Sequence, residues 1–69
     1  MKTWEIDGLE IIEVDFNYDL HEFEIYKDGV LIGTITPDTI DDMEAIAEDF
    51  NNGISPIGME DGLGNTISI

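Results

Sequence analysis

One stretch of this chain has a helical period, and it leaves nearly everything else to be folded as strands and turns. In PDTIDDMEAIAEDFNNG, Pro37 to Gly53, the apolar residues Ile40, Met43, Ala47 and Phe50 recur at three- and four-residue steps, with Ile46 on the margin of the same face. That is the stripe of a helix lying on a core. Thr36 is placed to cap the free N–H groups of the first turn, and Pro37 suits the first helical position because its missing N–H costs nothing there. Asn51, Asn52 and Gly53 tolerate the left-handed backbone that stops a helix. The spacing predicts a helix over residues 37–51.

The other face of that helix carries Asp38, Asp41, Asp42, Glu44, Glu48 and Asp49, with no Lys or Arg among them. Glu44/Glu48 and Asp38/Asp42 are like charges one turn apart, each pair costing roughly 0.2–0.5 kcal/mol. Asp38, Asp41 and Asp42 sit near the positive end of the helix dipole. Glu48 and Asp49 lie in the last turn, where the dipole disfavours anions. Folding alone gives no reason for acid at that end. The plain alternative is a charged face that is simply solvated.

Residues 3–16, TWEIDGLEIIEVDF, read as a hairpin. Asp7-Gly8 is a dipeptide favoured by type I′ turns, whose two central residues both need positive φ. A two-residue loop there sets Ile6 across from Leu9 and Trp4 across from Ile11. Alternation then restarts one residue later, with Ile12, Val14 and Phe16 inward and Glu13 and Asp15 outward. A phase slip of that kind predicts a bulge at Ile11-Ile12.

Asn17 to Leu20 is a polar connection, after which Glu22 to Tyr26 alternates again with Phe23 and Ile25 inward. A three-residue loop Lys27-Asp28-Gly29 would pair Ile25 with Leu31 and Phe23 with Gly33, gathering Phe23, Ile25, Leu31 and Ile35 on one face. After the helix the chain is rich in turn formers, and Thr66–Ile69 reads as a short final strand with Ile67 and Ile69 on the core side. The architecture expected is α+β: an antiparallel β-meander of about four strands packed against one helix, with a short C-terminal strand.

Composition sharpens this. The 69 residues make one small domain, 1–69, with a thin core. There is no cysteine, so no disulfide and no thiolate ligand or nucleophile. No segment reads as a membrane span or signal peptide, and the chain is expected in the cytoplasm. Charge is the outlier: 17 Asp and Glu against two lysines and no arginine, net −15. Since 42% of residues are hydrophobic and fall in periodic blocks, the chain is expected to fold rather than stay disordered.

Such a charge repels nucleic acid and anionic membranes and attracts cationic partners. A compact domain of this length is about 25–30 Å across. Duplex DNA carries one charge per roughly 1.7 Å, so fifteen charges correspond to about 25 Å of duplex. The totals match those of the DNA such a protein could replace.

Few constellations offer chemistry. Asp15, Asn17 and Asp19 copy the first three ligand positions of a calcium-binding EF-hand loop. The pattern then fails, with Leu20 where glycine is needed and Tyr26 where the bidentate glutamate should stand. They are the only metal candidates. His21, between Asp19 and Glu22, has the neighbours to orient it as a general base, yet no nucleophile stands near it in a recognisable setting. No cofactor is expected, and the chain is expected not to be an enzyme. Trp4 belongs to the core by default, whereas Tyr18 in a turn and Tyr26 among acidic strand residues suit a protein interface.

The function expected is a protein-interaction module that presents an acidic surface to a basic partner, in its sharpest form a nucleic-acid mimic. The partner-binding residues expected are the six helix carboxylates together with Glu13, Asp15, Glu22, Glu24, Tyr18 and Tyr26. In size and charge the chain resembles the small acidic proteins, many carried by phage, that occupy DNA-binding grooves of host defence or regulatory proteins. Two alternatives stand beside it: a structural or dimeric protein whose acidity serves solubility, and a divalent-cation-binding protein. Where the carboxylates lie separates the first two, since a mimic gathers them and solubility spreads them.

Overall fold

The computed structural model describes residues 2–69. Four strands, β1 (Thr3–Ile6), β2 (Leu9–Asn17), β3 (Leu20–Lys27) and β4 (Val30–Ile35), precede one helix, α1 (Ile40–Asn51). The strands form a single antiparallel sheet in the order β1-β2-β3-β4. The helix crosses one face of that sheet, touching β1 and β3. The α+β meander expected from the sequence is the fold observed, within extents of 29 × 24 × 19 Å.

The first hairpin has its expected register, with Trp4 opposite Ile11 and Ile6 opposite Leu9. Asp7 and Gly8 have φ of 52° and 77°, the left-handed pair that a type I′ turn requires. Asp28 and Gly29 repeat the device at 52° and 80°. The β3–β4 loop is therefore two residues long, not three, with Lys27 opposite Val30 and Tyr26 opposite Leu31. A bulge between Ile25 and Tyr26 absorbs the odd residue, so that Ile25 meets Gly33 and Phe23 meets Ile35. Leu31 consequently leaves the core face and is 49% exposed.

No bulge occurs at Ile11-Ile12. The β2–β3 register is unbroken from Leu9↔Lys27 to Asp15↔His21, and the irregularity falls between Asp15 and Asn17. Strict alternation therefore carries Ile12 and Val14 to the face away from the helix and leaves Glu13 and Asp15 on the helix side. Nothing in the described chain packs over that far face as a second layer, so its apolar residues stay half-buried and Phe16 is exposed.

The core consists of Ile6, Leu9, Ile11, Phe23, Ile25, Ile35, Phe50 and Ile67, with Trp4, Ile32, Met43, Ile46, Ala47 and Met59 packed against it. Trp4, Phe23 and Phe50 form a three-ring cluster with centroids 5.4–5.9 Å apart, inclined rather than stacked. Aromatic pairs prefer such inclined contacts because the edge of one ring is attracted to the face of the next. The Trp4 indole N–H also donates to Asn51 Oδ1 at 2.9 Å, tying β1 to the end of the helix.

The helix begins three residues later than its periodicity suggested. Thr39, not Thr36, is the N-cap: its hydroxyl accepts from the Asp42 N–H at 3.1 Å. Thr36 is otherwise engaged, its N–H donating to the Asp61 carbonyl at 2.8 Å and its hydroxyl to Glu22 Oε2 at 2.8 Å. Pro37 is buried in the connection rather than placed in a first helical turn. Ile40, at the start of the helix, is 43% exposed and not part of the core.

The expected C-terminal strand Thr66–Ile69 is not present. A single bridge pairs Glu60 with Thr66. Ile67 is nonetheless buried, its N–H donating to Met59 O at 2.9 Å while its carbonyl accepts from Gly58 at 2.8 Å. Between them Asp61 organises a tight turn, its Oδ1 accepting from the N–H groups of Leu63 and Asn65. These local acceptors satisfy the backbone that a ladder would otherwise have used. Ile69 is 75% exposed.

Candidate functional site: a divided acidic surface and a groove beside the helix

The acidic side chains are distributed by the two periodicities of the fold. On the sheet face away from the helix, alternation places Glu5 opposite Glu10, and brings Glu22 and Glu24 beside Val14 and Ile12. Like charges directly across a ladder oppose pairing. Two carboxylates of this face take local donors: Glu22 accepts from Thr36, and Glu24 Oε1 accepts from the Tyr26 hydroxyl at 3.0 Å. That hydrogen bond, followed by desolvation and the charges of Glu24 and Glu10, holds the Tyr26 phenol above its ordinary pKa. Tyr26 thus sits among carboxylates as expected, with its hydroxyl already committed to one of them.

Glu13 and Asp15 lie on the helix side, where they flank His21 rather than join Glu22 and Glu24. Nδ1 of His21 is 3.2 Å from Glu13 Oε1, and Nε2 is 3.2 Å from Asp15 Oδ1. The cross-strand partner of Asp15 is His21 itself. The backbone N–H of His21 reaches the Met43 sulfur at 3.2 Å, fixing this end of β3 against the helix. The histidine is therefore a clasp between two strands. Asn17 ends β2, and Tyr18 and Asp19 form the turn that follows, with Tyr18 at φ 49° and 97% exposed. Among the described residues no three His, Asp or Glu side chains converge in an arrangement that would hold a metal ion.

Of the six carboxylates expected on the helix, Asp38 precedes it because the helix starts at Ile40, and the six separate into two groups. Asp41, Glu44 and Glu48 are exposed on the outer side of the helix. Asp38, Asp42 and Asp49 line a groove of about 370 Å³ between the helix, the end of β4 and the C-terminal segment. Its apolar lining comes from Ile35, Ala45, Ile46 and Met59, and Glu60 stands on the side opposite the helix. Ile35 is buried, Ile46 and Met59 are half-buried, and Asp38, Asp42 and Glu60 are exposed, so apolar groups form the floor and carboxylates the rim. Sequence reasoning found the helix side of this groove through its period. It missed Glu60 and Met59, which arrive only because the Asp61 turn is anchored to Thr36.

Among the described residues, His21 with Glu13 and Asp15 makes the only contacts within 4.0 Å between a basic side chain and a carboxylate. Neither lysine lies against a carboxylate. No protein-family model, curated protein or solved structure matches this chain. No helix is long and apolar enough to cross a membrane.

Proposed function

We propose that this chain is a non-catalytic protein-interaction module that offers carboxylates to a basic partner, in its sharpest form standing in for nucleic acid at a DNA- or RNA-binding protein. One observation carries the proposal: among the described residues, no lysine lies within 4.0 Å of a carboxylate, and the one basic side chain that does is His21. An acidic surface left unneutralised over a 29 Å extent has about the charge of an equal length of duplex, by the roughly 1.7 Å spacing of DNA charge. Along a strand, alternate carboxylates repeat every ~6.6–7 Å, and on the helix neighbours lie ~5–6 Å apart. Both spacings suit lysines and arginines that ordinarily meet phosphates. A cytoplasmic setting, where such partners work, goes with this proposal.

A second reading has its own observation. Carboxylates occupy both the helix layer and the far sheet face, the spread that solubility alone would produce, and Leu31 and Phe16 are exposed apolar side chains of the sheet strands. On that reading the domain is a structural or self-associating protein.

A pull-down from a bacterial lysate with the tagged full chain, washed at low salt with and without excess duplex DNA, separates the two. Recovery of a specific DNA- or RNA-binding protein that duplex DNA displaces supports the proposal. Recovery of abundant basic proteins alone, or of partners indifferent to DNA, overturns mimicry and leaves the solubility reading.

A further inference from the structure

We infer that the groove between α1 and the C-terminal segment is the anchor point for a basic peptide segment of the partner, receiving one arginine or lysine side chain along its apolar floor. This inference rests on the proposal that the partner is basic, and adds where contact is made.

Long basic side chains have two chemistries, an aliphatic stem that gains from apolar contact and a charged head that needs polar partners. The groove presents the two in matching order. Ile35, Ile46 and Met59 line it as apolar floor, while exposed Asp42 and Glu60 stand at its mouth and half-buried Asp49 lines it between them. Its volume of about 370 Å³ falls in the range of small-ligand clefts, roughly 300–1,000 Å³. Asp42 and Asp49 lie two turns apart on one side of the helix, with Ile46 between them, and Glu60 faces them from the other wall. A cationic head group entering there meets carboxylates from two elements that the fold, not the local sequence, brings together.

The complementarity is with cations and with nothing else in the protein. No Lys, Arg or His of the described chain lines the groove or pairs with its rim. A second copy of this chain would bring net −15 to the same place. The far sheet face is also acidic, but there Glu22 and Glu24 already accept from Thr36 and Tyr26, and the surface is a sheet face without walls. Charge-assisted hydrogen bonds in a partly enclosed cleft are worth more than the same charges on an open surface, where water and salt screen them.

The test compares removal of equal charge from opposite faces. An acetylated, amidated hexa-arginine peptide is titrated into the isotope-labelled full chain at physiological salt and read by amide chemical shifts. Shifts concentrated at Asp42, Ile46, Asp49, Met59 and Glu60 are expected. The paired variant D42N/D49N is expected to weaken binding about tenfold, the loss of ~1.4 kcal/mol, whereas E10Q/E24Q on the far face is expected to weaken it less than about threefold, as for screened surface charge. Ala45→Phe, which fills the groove without changing charge, should weaken binding as D42N/D49N does, and covers the case in which the paired variant is poorly folded. Equal effects of the two paired variants, with shifts spread over both faces, overturn the groove while leaving an acidic interaction surface intact. Failure of the unaltered chain to bind the peptide saturably overturns both.

Discussion

A Cβ built on Gly33 would stand 2.7 Å from Cδ1 of Ile67. Gly33 is a strand residue opposite Ile25, and Ile67 belongs to the irregular C-terminal segment that lies against the core. The absent side chain makes the slot by which that segment docks, and so helps to hold the far wall of the groove.

Gly33→Ala is therefore expected to cost roughly 0.5–1.5 kcal/mol, the strain of turning the terminal methyl of Ile67 aside, even though alanine suits a strand no worse than glycine. Ile67→Val, which removes the obstructing methyl, should cost roughly 0.5–1.5 kcal/mol alone. In the double variant the two costs should fall short of their sum by at least about 0.5 kcal/mol. Strictly additive denaturation midpoints would mean that the two residues do not meet.

Thr39→Ala should destabilise the domain by about 1 kcal/mol through loss of the N-cap. The capping contact is the Thr39 hydroxyl accepting from Asp42 N–H, and Thr39→Ser should retain most of it. Urea denaturation of the three proteins measures this. Equal stability of all three would move the helix start back toward Pro37.

Tyr26 should titrate above its ordinary value of 10.0, and Glu24→Gln should bring its titration down. A phenol whose pKa is raised on folding contributes stability that is fully present below the unfolded pKa. That contribution is lost as pH climbs through the folded pKa, because the unfolded chain ionises first. Tyrosinate absorbance against pH reads the titration, and a curve unchanged in Glu24→Gln would remove the hydrogen bond as the cause.

Added sodium chloride should raise the melting temperature. Net −15 opposes compaction, and screening shortens its reach from about 30 Å at 10 mM salt to about 3 Å at 1 M. Each kcal/mol so recovered is worth roughly 4–8 °C in a domain of this size. A melting temperature flat across that range would show the carboxylates to be effectively independent.

The Asp28-Gly29 turn is two residues long and not the three-residue loop expected, whereas the meander, the Asp7-Gly8 turn, the apolar stripe through Met43, Ala47 and Phe50, and the excess of acid are all legible in one dimension. These follow from local rules, the period of two along a strand, the period of 3.6 along a helix and the positive φ of a type I′ turn. Where a local rule had two solutions, only the tertiary structure chose. The slip in alternation at Ile11-Ile12 reads as a bulge if every apolar residue must face one core. The sheet instead keeps its register and lets Ile12 and Val14 face outward, because a single helix covers only one side of it. That choice puts Glu13 and Asp15 beside His21 and separates them from Glu22 and Glu24. Thr36 is the cap that the sequence offers, but the Asp61 turn takes its N–H and Glu22 takes its hydroxyl, and Thr39 caps the helix instead. The groove was the least legible feature of all, since its two acidic walls lie more than ten residues apart and the second is held by the Asp61 turn on Thr36 and by Ile67 docked over Gly33.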